Sequence, residues 1–136
     1  MIYKRCSRCG ARIPSGTQCK KCQKEIYSYT KRSDGVRKEY KTIRWQKMRE
    51  YCLRSFDFVD LYALYHDGKI IPADRVHHIV EALEDPDRFY DSTNHFPVSD
   101  ASHHEIHLRM KIEGAELVRQ ELFGYIRDWK RRESKG

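Results

Sequence analysis

The chain has 136 residues, with 27 Lys/Arg, 20 Asp/Glu and 7 His, for a net charge of +7. That length makes one ordinary domain with room for a small appendage, and nowhere is there the run of about 18 apolar residues that a membrane span needs. The opening MIYKRCSRCG is basic and lacks the apolar run of a signal peptide, so a soluble, cytoplasmic protein is expected.

The charge is unevenly spread. Residues 1–50 carry 15 Lys/Arg against 4 Asp/Glu, whereas residues 51–136 carry 12 against 16. A basic first third on a mildly acidic remainder points to an arm that meets a polyanion, most often nucleic acid. A solvated, solubilising tail is the plainer alternative, but Tyr27, Tyr29, Tyr40 and Trp45 are interleaved with the charge.

Residues 1–25 have too few apolar side chains to build a core and need a staple. Cys6-x2-Cys9 and Cys19-x2-Cys22 supply one. Without a secretory signal, paired CxxC units read as a metal site rather than as disulfides. CSRCG has the form of a zinc knuckle, the glycine relieving the tight turn, and CKKC completes a tetrahedral four-cysteine set that contributes folding energy directly. Free thiols that happen to pair would have to explain two identical spacings.

Residues 26–41 are polar and basic with no clean period, and are expected to be a linker that orders on a partner. From Thr42 a helix is predicted, because Trp45, Met48, Cys52 and Phe56 fall on one face. Cys52 on that face reads as core. HDGKII and DRVHHI then suggest two paired strands, with Asp67-Gly68 as the turn and Pro72 limiting the pairing. Residues 81–93 are acidic and loop-like, with one helical turn at most. A helix is predicted through ASHHEIHLRM, capped at Asp100. Beyond Gly114, Val118, Leu122, Ile126 and Trp129 mark a long amphipathic helix.

Six of the seven histidines lie between residues 77 and 107. Strand alternation sends His77 and His78 to opposite faces. On the following helix, His103 and His107 are i and i+4, able to share an ion. His104 and His107, at i and i+3, could do so with a different rotation, and spacing alone leaves both open.

IPADRVHHIV, TNHFPVSDASHHEIH, WQKMREYCL and the leading YKRCSRCGARIPSGTQCKKC together resemble the HNH endonuclease family, in the form common in bacteriophages. The resemblance covers about residues 1–107. It implies an α+β fold: a small ββα-metal nuclease core with flanking helices and an N-terminal four-cysteine zinc knuckle. The expected organisation is a knuckle at 1–25, a basic linker at 26–41, and a nuclease domain with a C-terminal helix at 42–136. Carried over by position, His77, His103 and His107 hold one catalytic divalent ion (Mg, Mn, Ni or Zn). His78 is the general base, and Asn94 orients it by a hydrogen bond and stiffens the connection. Cys6, Cys9, Cys19 and Cys22 hold one structural zinc. His66 and His95 have no family role and read as surface residues, while His104 is a substitute ligand or phosphate contact.

The resemblance further implies DNA as substrate, held mostly by its backbone, and a phage large terminase subunit as partner in packaging. A non-catalytic zinc-knuckle adaptor that keeps the nuclease scaffold is the competing expectation. The chain departs from many relatives at one point. Four cysteines that hold a second zinc in those relatives fall here on Leu61, Leu64, Ser99 and Ser102. The leucines are expected to pack as core, with Ser99 or Asp100 capping the helix.

Overall fold

The computed structural model describes residues 2–135, and side chains as far as residue 133. The chain separates into two compact units, one through Glu39 and one from Tyr40. Among the described residues, no helix is long and apolar enough to cross a membrane.

In the first unit, β1 (Tyr3–Arg5) pairs antiparallel with β2 (Arg12–Pro14). The CSRCG turn joins them: Gly10 N–H donates to the Cys6 carbonyl at 2.8 Å, and Cys6 N–H to the Ala11 carbonyl at 2.7 Å. Gly10 sits at φ +78°, a conformation that glycine adopts without steric cost. Helix α1 then runs Lys20–Tyr40, so the stretch expected to be an irregular linker is helical. It contains no proline and many good helix formers. It also carries a stripe that charge obscured: Cys22, Ile26, Tyr29, Val36 and Tyr40 recur at i, i+4, i+7, i+14 and i+18. Only Cys22 on this helix is buried.

In the second unit, α2 (Ile43–Ser55) begins where the Thr42 hydroxyl accepts the Trp45 N–H at 3.0 Å. Trp45, Cys52 and Phe56 bury the predicted face, with Met48 half-buried beside them. Burial pushes the Cys52 thiol up to about 12, so it is inert core. Residues Ala63–Asp67 form a π-turn closed by Gly68 at φ +69°.

That turn corrects one expected pairing. HDGKII does not form a strand with DRVHHI: the Asp60 carboxylate accepts the Ala63 N–H at 2.9 Å and starts a helical turn, and Asp67-Gly68 end it. Pro72 makes a single bridge to Val59. Strand β3 (Arg75–His78) instead pairs antiparallel with β4 (His95–Val98), and His78 stands opposite His95. The connection holds two short 3₁₀ turns, Pro86–Arg88 and Ser92–Asn94.

Helix α3 (Asp100–Glu113) starts at Ser99, whose hydroxyl accepts the Ser102 N–H. After Gly114, α4 (Ala115–Lys135) follows. Its stripe of Val118, Leu122, Ile126 and Trp129 closes over Cys52, Phe56, Leu61, Ile79, Phe96, Val98 and Ile106 in one core. The β3–β4 hairpin is thus backed by that core while its histidines face α2 on one side and α3 on the other.

Candidate active site

Alternation along β3 divides the two histidines as the sequence requires. His77, only 2 % exposed, turns toward α3. Its ring centroid lies 5.3 Å from that of His103 and 5.0 Å from that of His107. One helical turn separates His103 from His107, which places their Nε2 atoms 3.0 Å apart. One ring nitrogen from each of the three lies within 4.8 Å of the others. His104 points away: its side chain is 79 % exposed and faces Asp100 at 3.5 Å.

The donor set fits a divalent cation. The Nε2 of His77 is buried with no hydrogen-bond partner, a state that costs about 1–3 kcal/mol unless something meets it. Burial, then the neighbouring His107 and His103, hold His77 well below the usual imidazole range. Burial and His107 bring His103 down to about 4. At neutral pH these rings therefore present lone pairs rather than protons. The Glu81 carboxylate lies 3.7 Å from Nδ1 of His107, on the side of the ring away from His103.

His78 faces the other way, into an aromatic box. Trp45 stacks on it at 4.9 Å and 26°, with Phe89 at 4.7 Å and His95 at 5.1 Å. Its Nε2 lies 3.0 Å from the Phe89 carbonyl. A carbonyl only accepts, so Nε2 carries the hydrogen and Nδ1 keeps the lone pair. The Tyr40 hydroxyl, 3.1 Å away, donates to that Nδ1. Burial draws His78 down to about 4, partly opposed by the Phe89 carbonyl.

Asn94 is fully buried but spends its amide elsewhere. Its Oδ1 accepts the Val80 N–H at 2.7 Å, and its Nδ2 donates to the carbonyls of Val80 at 2.9 Å and Arg88 at 3.4 Å. The hydrogen bonds on His78 come from Phe89 and Tyr40 instead. Asn94 thus fixes the backbone one residue before the carbonyl that holds the base, so its influence on His78 runs through the connection. His95, expected at the surface, is 1 % exposed. Pairing with His78 buries it, and its Nε2 donates to the same Phe89 carbonyl at 2.7 Å. His66 does lie at the surface, hydrogen-bonded to Asp67.

In the first unit the Cys6 and Cys22 sulfurs are 3.8 Å apart, as are those of Cys9 and Cys19. All four thiols are free and lie within 4.8 Å of one another. Backbone N–H groups of Cys9 and Arg8 bring Cys6 down to about 6. Burial and the crowding of the other thiols push Cys22 up to about 12. A dication among four sulfurs relieves that crowding, and the set suits tetrahedral zinc.

Leu61, Leu64 and Ser99 take the places expected of them. Leu61 is fully buried, Leu64 packs against the core, and Ser99 caps α3. What the sequence did not reveal is the neighbour that joins them. The buried Asp60 carboxylate accepts the Ser99 N–H at 2.9 Å and its hydroxyl at 2.7 Å, besides the N–H of Ala63. Aspartate three residues before Ala63 is an ordinary turn-capping signal, but its tie to Ser99 is a long-range contact. Tyr40, Trp45, Phe89 and Glu81 likewise carried no mark of a role at the histidines.

A two-stranded hairpin and a helix that converge three histidines define an α+β protein with a ββα-metal core of the HNH type, preceded by a four-cysteine knuckle. Among solved structures, the HNH endonuclease of the deep-sea thermophilic bacteriophage GVE2, crystallised with a manganese ion, is similar to this chain. It superposes with a TM-score of 0.59 at 25 % identity, over 65 % of this chain and 95 % of that one. No protein-family model matches the sequence, and no curated protein matches it.

Proposed function

We propose that this chain is a metal-dependent DNA endonuclease, phage-encoded, that hydrolyses phosphodiester bonds to leave 5′-phosphate and 3′-hydroxyl ends. The observation that carries the reading is the buried, unpartnered His77 nitrogen among His103 and His107 in a hairpin-then-helix frame shared with an HNH endonuclease. Those three residues are the ligands of one ion, Mg, Mn, Ni or Zn. When bound, the ion supplies positive charge for the phosphate oxygens and the leaving oxygen.

The protein's own groups do the rest. His78 is neutral near pH 7, and with its Nε2–H committed to Phe89 its Nδ1 is the nitrogen on which a proton is taken up. Asn94 keeps the Phe89 carbonyl in place. In this reading residues 1–25 form a zinc-held module, residues 26–41 a basic linker that is helical as far as Tyr40, and residues 42–136 the nuclease domain. The excess positive charge of the first 50 residues meets the DNA backbone with little regard to sequence. Work beside a large terminase subunit during packaging in the host cytoplasm is part of the same proposal.

One observation favours a second reading. His78 is only 5 % exposed and both its nitrogens are engaged, as suits a scaffold kept for binding in a non-catalytic packaging adaptor. Plasmid nicking separates the two. Wild type with Mg²⁺, Mn²⁺, Ni²⁺ or Zn²⁺ is expected to cut supercoiled DNA and His78→Ala is not. DNA binding without cleavage under every ion would leave the adaptor reading standing.

A further inference from the structure

We propose that Tyr40 is the proton relay between the attacking water and His78. The inference rests on the nuclease reading above and adds a participant to it. Tyr40 is the last residue of α1 and belongs to the second unit. Its charge-rich surroundings in the sequence marked it as a nucleic-acid contact, but its ring forms a wall of the box that holds His78. It meets Trp45 edge-on at 5.4 Å and Phe89 at 4.9 Å.

The geometry leaves little choice about the role of the hydroxyl. His78 has one nitrogen for catalysis, Nδ1, because Nε2–H is held by Phe89. That nitrogen is met by the Tyr40 hydroxyl at 3.1 Å. His78 is 5 % exposed, whereas Tyr40 is 41 % exposed. Water thus reaches the tyrosine more readily than the histidine. Burial and the nearby Glu81 carboxylate hold the phenol above its ordinary range, so at neutral pH it is a hydroxyl with a proton to give and a lone pair to receive one.

The step balances. As the water oxygen bonds to phosphorus, one O–H bond of water breaks and its proton passes to the Tyr40 oxygen. The tyrosine's own proton passes to Nδ1 of His78, so Tyr40 ends the step as it began. The 3′ oxygen leaves with the electron pair of the broken P–O bond and takes a proton from solvent. The imidazolium keeps its Nε2–H on the Phe89 carbonyl until solvent removes the extra proton.

Tyr40→Phe keeps the ring and its packing and removes only the hydroxyl. With Mn²⁺ and a supercoiled plasmid, its kcat is expected to fall about 100-fold, the usual scale of a lost proton-transfer group. The KM for DNA should stay within about twofold of wild type, since no DNA contact is removed. His78→Ala, run alongside, is expected to lose cleavage to background. Cleavage by Tyr40→Phe at the wild-type rate or faster, with His78→Ala inactive, overturns the relay and leaves the nuclease reading intact. Absence of cleavage by wild type under every ion overturns both. A readout without metal or substrate stands beside these: ¹⁵N NMR of the metal-free protein. The Nδ1 resonance of His78 is expected to move downfield in Tyr40→Phe on losing its donor, and an unchanged resonance overturns the contact itself.

Discussion

His103 and His104 are adjacent, identical, and equally available to a reader of the sequence, yet the helix separates their fates. One turn of α3 aligns His103 with His107 beneath His77, while His104 is rotated into solvent beside Asp100. His103→Ala is therefore expected to reduce metal-dependent plasmid cleavage by at least about 100-fold, in keeping with the loss of a ligand. His104→Ala should retain most of it, and the reverse result would move the ligand to His104. The buried rings also set a pH dependence. His78 takes its proton at about 4 when folded and at about 6.5 when unfolded. Between those values the unfolded chain binds more protons, so stability is present above about pH 6.5 and is lost as the pH falls toward 4. His77 and His103 act in the same direction. Melting of the metal-free protein is expected to drop steadily from pH 7 to pH 4.5, with a shallower slope in His78→Phe. Local rules, strand alternation and helical spacing, narrowed the cluster to His77 with His107 and either His103 or His104, and the choice of His103 came with the family resemblance. Tyr40 was not, since 38 residues separate it from His78 and no periodicity relates them. His95 was misread because its burial follows from a strand register that its own neighbours in sequence do not reveal.

Between elements, the contact that matters most for the site is one that no metal makes. Asp60 is fully buried and its two carboxylate oxygens take the Ala63 N–H, the Ser99 N–H and the Ser99 hydroxyl. It thereby ties the turn before β3 to the start of the helix that carries His103 and His107. Replacing it removes the partner of one buried and one part-buried N–H group at once. Asp60→Ala is expected to cost about 3 kcal/mol, read from the midpoint of urea unfolding. Ser99→Ala, which loses the cap hydroxyl but keeps the N–H bond to Asp60, should cost about 1 kcal/mol. Equal effects would show that Asp60 acts only through the cap. The same region explains the mistaken hairpin. Asp-Gly is a strong turn signal, and here it stops a π-turn instead of joining strands, because Asp60 had already committed the chain to a helical turn. The missed helix α1 has a different cause: its apolar stripe is thin, and Ile26, Tyr29 and Tyr40 on it stay exposed, so burial never sharpened the pattern against the surrounding charge.

At the scale of the molecule the two units are stabilised by different means. Before Tyr40 the buried side chains among the described residues are Cys19 and Cys22, both members of the four-thiol cluster. The 21-residue α1 grows out of that cluster, and an isolated helix of its composition, with Gly35 in its interior, is marginal in water. The second unit has a continuous core that reaches from Cys52 to Trp129 and contains no thiol of the cluster. Metal binding to the cysteines should therefore be folding energy for the first unit and nearly irrelevant to the core of the second. Cys19→Ser/Cys22→Ser tests this without disturbing the histidines. The dispersed amide resonances of residues 2–39 are expected to collapse toward random-coil positions, and far-UV helicity to fall by about the share of α1. Resonances of the core around Leu61, Phe96 and Leu122 should stay in place, and the main melting transition should move by no more than about 2 °C, since no core contact is lost. If the core resonances moved with those of the first unit, zinc at the cysteines would be supporting the histidine-bearing fold as well.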